Sequence, residues 1–79
     1  MEIKIVGKNS SNRNKLFKNV KKAIKEVKSH IDILLLEDKT DEIKYGVTNT
    51  PSLVIDDKVI SQGRILNDRE IVNYIKVLS

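Results

Sequence analysis

Thr50-Pro51-Ser52-Leu53-Val54-Ile55 joins the only proline of the chain to a run of β-branched and other apolar residues. Proline has no N–H to give to a strand ladder, so it is confined to the head of a strand. Ahead of it, Tyr45-Gly46-Val47 reads as a helix end followed by the glycine that commonly stops a helix. Behind it, Asp56-Asp57-Lys58 reads as a tight turn between a strand at Ser52–Ile55 and a second at Val59–Ser61, which Gln62-Gly63 closes. This stretch therefore predicts helix end, turn, strand, turn, strand.

The remaining segments extend that pattern in both directions. Ile3 and Ile5 alternate with Glu2 and Lys4, the period of a half-buried strand, and Gly7 ends it. Lys8-Asn9-Ser10-Ser11-Asn12 is polar turn material rich in helix-capping types. A long helix follows, with Leu16, Val20, Ala23, Ile24 and Val27 on one stripe and Phe17 widening it. Ile31-Asp32-Ile33-Leu34-Leu35-Leu36 is too short for a helix and predicts an inner strand with both faces covered. Thr40–Tyr45 predicts a short helix with acids near its start. Asn67 and Glu70 form a variant capping box that opens a last helix with Ile71, Val72, Ile75 and Leu78 on one face.

Residues 1–79 are read as a single domain, because a chain this short has room for one small core. Such a core yields only about 3–5 kcal/mol net. It has no disulfide to help it, since there is no cysteine, and the lone His30 cannot make a metal site. No metal or cofactor is expected. The charged strand at the N-terminus does not resemble a secretory signal, and no apolar run reaches the length of a membrane span, so a soluble cytoplasmic protein is the expectation. Charge is uneven: residues 1–28 hold nine Lys/Arg against two acids, and residues 29–79 hold six against nine.

The order β-α-β-α-β-β-α with a proline heading the third strand resembles the thioredoxin fold. It is similar to minimal bacterial and archaeal redox-active disulfide proteins. Tyr45-Gly46-Val47-Thr48-Asn49-Thr50-Pro51 looks like the family segment that leads into a cis-proline, and Val59–Arg64 looks like the strand and glycine that follow. The resemblance implies an α/β domain with a mixed four-stranded sheet and helices on both faces. It also implies a Cys-x-x-Cys at the start of the first helix, where this chain has Ser10 and Arg13. Thiol–disulfide exchange needs a thiolate to attack and a second thiol to resolve, so that activity is not expected here.

The resemblance places the start of the long helix beside Pro51. A helix start presents unpaired N–H groups and a positive dipole end, to which Lys8 and Arg13 would add full charges and Ser10, Ser11 and Asn12 would add donors. Asn49, Thr50 and Pro51 would form the opposite wall, where the Thr50 backbone could pair with an extended peptide. The expected role is a redox-inactive module that binds a peptide, a protein or a small anion. The same residues also read as plain helix caps, a solvated arginine and a structural turn. An enzyme that binds glutathione or another thiol, with Ser10 in place of cysteine, is the alternative. Lys15, Lys18, Lys22 and Lys25 share one helix face, but without stacking aromatics they predict at most weak, salt-sensitive contact with nucleic acid. The turn role of Asp56 and Asp57 accounts for both acids.

Overall fold

The alternating segment at the N-terminus becomes the central strand of the sheet. The computed structural model describes all residues from Met1 to Ser79. In chain order it has β1 (Glu2–Val6), α1 (Ser11–Val27), β2 (Asp32–Leu36), α2 (Lys39–Tyr45), β3 (Ser52–Ile55), β4 (Lys58–Gln62) and α3 (Asp68–Leu78). The strands lie in the order β2-β1-β3-β4. β1 runs parallel to β2 and antiparallel to β3, and β3 runs antiparallel to β4, so the sheet is mixed.

Ile3 and Ile5 of β1 and Leu53 and Ile55 of β3 point to one face. There they meet Leu16, Val20 and Ala23 of α1 and Ile71, Val72 and Ile75 of α3 in a single cluster completed by Ile31 and Leu66. Lys4, Val6 and Val54 point to the other face. On that side the Tyr45 hydroxyl, at the end of α2, accepts a hydrogen bond from Lys4 Nζ. Val6 and Val54 are buried there, outside the main cluster. Helices thus flank both faces, with the larger core under α1 and α3. None of the helices is long and apolar enough to cross a membrane.

Local chemistry accounts for the element ends. Ser10 caps α1, its Oγ accepting from Arg13 N at 3.1 Å. Asn67 and Glu70 form the reciprocal box at the start of α3, with bonds of 2.8 and 3.2 Å. Asp56 and Asp57 both have positive φ, 47° and 67°, the pattern of the two-residue turn that matches hairpin twist. β4 accordingly begins at Lys58 and runs to Gln62, wider than the expected Val59–Ser61. The two acids also do more than turn the chain. Asp56 Oδ1 accepts from Glu2 N at 2.8 Å, and Asp57 pairs with Lys4.

One expectation fails. β2 is an edge strand and not an inner one, and Leu34 and Leu35 remain 42% and 38% exposed. Its apolar run has the composition of a buried parallel strand, but the sheet stops there and leaves its outer side uncovered.

Candidate functional site

Gly7 leaves β1 with φ at +152°, and its N–H donates to Leu36 O at 2.9 Å. A methyl group at this position would lie 3.3 Å from Thr50 Cβ, 3.4 Å from Pro51 Cα and 3.7 Å from Arg13 Cγ. Those distances bring the end of β1, the first turn of α1 and the Thr50–Pro51 peptide to one point. The Thr50–Pro51 peptide bond is cis, and Pro51 is buried beneath an exposed Thr50.

The loop before the proline is held from β4. Gln62 Oε1 accepts from Thr48 N at 2.9 Å, Thr48 Oγ1 at 3.2 Å and Asn49 N at 3.3 Å. Ser52 Oγ donates to Asn49 O at 2.6 Å, and Gly63 N donates to Pro51 O at 2.9 Å. Thr50 itself lies outside every helix and strand, and its backbone N–H and C=O have no partner within the chain. Sequence reasoning missed Gln62, because a strand-ending glutamine carries no signal that it will reach back across the hairpin.

Next to Thr50 is an open cleft of about 290 Å³ lined by Lys8, Ser10, Lys39, Glu42 and Thr50. Lys8, Ser10 and Thr50 were expected there; Lys39 and Glu42 were not, since only the docking of α2 carries them to this place. Ser11, Asn12 and Asn49 are exposed nearby but outside the lining. No acidic side chain occupies the first turn of α1, so the positive end of its dipole is uncompensated from within the helix.

Arg13 departs from the expectation of a free or solvated charge. Its side chain is only 8% exposed, Nη1 donates to Glu37 Oε1 at 3.0 Å, and Nε donates to Asn14 Oδ1 at 3.0 Å. The amphipathic turn of α1 that buries Leu16 also buries residue 13, and a guanidinium taken out of water requires a partner. Glu37 supplies it from the end of β2. The two cations open to the cleft are therefore Lys8 and Lys39.

On the α2 face, Lys4 Nζ donates to Tyr45 Oη and pairs with Asp57 at 2.9 Å and Glu2 at 3.3 Å. The Tyr45 bond first, and then Asp57, push the Lys4 pKa well above the usual lysine range, while the Lys4 bond and charge hold Asp57 below the usual carboxylate range. A lysine held protonated in this way is neither a base nor a nucleophile. His30 is 95% exposed beside Asp32, and no three His, Cys, Asp or Glu side chains converge as a metal site. A larger hollow of about 440 Å³, lined in part by Met1, Ile31, Ile75 and Ser79, shares no residue with the cleft beside Thr50.

The model of a thioredoxin domain matches residues 1–76 of the chain. A protein named thioredoxin from Methanocaldococcus jannaschii is 32% identical over 74 residues, which cover 94% of this chain and 85% of that protein. With the β-α-β-α-β-β-α order, the mixed sheet and a helix start packed against Thr50–Pro51, these matches show that the chain belongs to the thioredoxin family, although it contains no cysteine.

Proposed function

We propose that this chain is a binding module that receives an acidic, extended peptide segment in the cleft between α1, α2 and the Thr50–Pro51 peptide. Without a cysteine it carries out no thiol–disulfide exchange, because no sulfur is present to attack or to resolve. The observation that supports the reading is the convergence of Lys8, Ser10, Lys39 and Thr50 on one cleft, beside a Thr50 backbone with no partner in the fold. Two ammonium groups against the single carboxylate of Glu42 favour an anionic side chain or a terminal carboxylate. The free N–H and C=O of Thr50 suit strand-fashion pairing with a peptide backbone. Exposed charge pairs contribute only about 0–1 kcal/mol each, so the expected affinity is weak.

Amide chemical shifts during titration with an acidic extended peptide test this. Lys8, Ser10, Lys39 and Thr50 should move together, and Lys39→Ala should weaken the response. Raising the salt should weaken it too. Shifts confined to the basic face between Lys15 and Lys28, or no saturable shift, would overturn the proposal in favour of a polyanion surface or of no binding.

A further inference from the structure

The two edges of the sheet are built differently. β4 carries an irregular register opposite Leu53 and Val54, begins with Lys58 and ends with Gln62, which is committed to the loop before Pro51. Bulges and lysines are the usual means of blunting a sheet edge. β2 has none of these: Asp32-Ile33-Leu34-Leu35-Leu36 contains no proline, lysine or irregularity, and leaves Leu34 and Leu35 exposed on opposite faces.

The direction of its hydrogen bonds decides what can pair with it. Asp32 N donates to Met1 O, and Leu36 O accepts from Gly7 N, so residues 32, 34 and 36 turn their peptide groups toward β1. By alternation, the N–H and C=O groups of Ile33 and Leu35 point outward. An antiparallel neighbour must bring its own outward-facing residues opposite these two. For a second copy of the same strand, that condition leaves registers centred on Ile33, Leu34 or Leu35. Centring on Leu35 sets Asp32 against Asp38 of the other copy, like charges face to face. Centring on Ile33 leaves Leu35 and Leu36 opposite residues that precede the strand. Centring on Leu34 pairs all five strand residues with each other: Leu34 with Leu34, Ile33 with Leu35, and Asp32 with Leu36. It also sets His30 against Asp38, whose carboxylate caps no backbone N–H of its own helix.

The geometry points to β2 as a self-complementary edge through which two copies of this chain associate about a two-fold axis at Leu34, joining their sheets. Ile33–Leu35 pairs form on the α1 side and the Leu34 pair on the α2 side, and the His30–Asp38 positions match in charge when the histidine is protonated. Five-residue strands alone cover less than the roughly 1,000 Å² of a stable interface, so the dimer forms only at high protein concentration.

Sedimentation equilibrium up to about 1 mM protein, a concentration that detects association worth about 4 kcal/mol, tests this together with amide exchange. Expected are a monomer–dimer equilibrium and exchange at Ile33 and Leu35 that slows as concentration rises. Leu34→Lys, which sets two ammonium groups across the axis, should weaken the dimer by about tenfold or more. Leu34 is exposed in the monomer, so an unchanged unfolding midpoint should accompany that loss. A monomer throughout the range would overturn the proposal. So would a dimer insensitive to Leu34→Lys, or concentration-dependent protection at Val59 and Gln62, whose peptide groups face away from β3, in place of Ile33 and Leu35.

Discussion

The Arg13–Glu37 pair should be asymmetric, because its two charges sit in different environments. The Arg13 side chain is 8% exposed, whereas that of Glu37 is 54% exposed. Glu37→Ala leaves a guanidinium in the protein interior without its counter-charge. Breaking a fully buried pair in that way costs about 3–5 kcal/mol, and water reaching the exposed side of this one lowers the expectation to about 2 kcal/mol. Arg13→Met removes the buried charge, keeps a long flexible chain in its place, and returns Glu37 to solvent, so it should lie within about 1 kcal/mol of the parent. In the Arg13→Met background, Glu37→Ala should then cost almost nothing. Equilibrium unfolding in urea on the four proteins of this cycle reads the difference directly, and a loss of about 2 kcal/mol should lower the melting temperature by about 8–16 °C in a domain of this size. Additive effects, or an Arg13→Met variant damaged as much as Glu37→Ala, would show that the arginine is held by packing and not by its carboxylate.

Three further outcomes can be checked. Gly7→Ala places a methyl group 3.3 Å from Thr50 Cβ at a φ of +152°, and chemical denaturation should show a loss of about 1–3 kcal/mol. Gln62→Ala removes three hydrogen bonds to Thr48 and Asn49, so amide exchange at those two residues should accelerate while exchange in β1 stays unchanged. Asp57→Asn tests the Lys4 cluster through pH. The carboxyl of Asp57 is held below its unfolded value of about 3.9, so its contribution is complete above that pH and is lost as pH falls through the folded value. The parent should therefore lose more stability than Asp57→Asn between neutral pH and pH 3, and parallel acid limbs would contradict the pairing.

Much of this molecule is written in short-range signals. Asn67 and Glu70 announce the start of α3, Ser10 announces the start of α1, and Gly46 ends α2 in the left-handed conformation, because caps depend on residues three or four positions apart. The stripe of Leu16, Val20 and Ala23 identifies the buried face of α1 for the same reason: helical periodicity is local. Pro51 at the head of β3 narrows the topology, since a residue without an N–H tolerates few places in a sheet.

Residues brought together from distant parts of the chain could not be read in that way. An apolar run such as Ile31–Leu36 looks alike whether a further strand covers it or not, and the strand order leaves it at an edge. Arg13 looks solvated beside Asn12 and Asn14, until the crossover from α1 to β2 sets Glu37 against it, 24 residues away. Lys39 and Glu42 enter the cleft through the docking of α2, and Gln62 steadies the Thr48–Asn49 loop across the hairpin. Local propensity and periodicity select the elements, since neighbours in sequence set backbone preference and the buried face. Charge pairing, edge exposure and the walls of the cleft depend on which elements become neighbours in space, and that is settled when the chain packs.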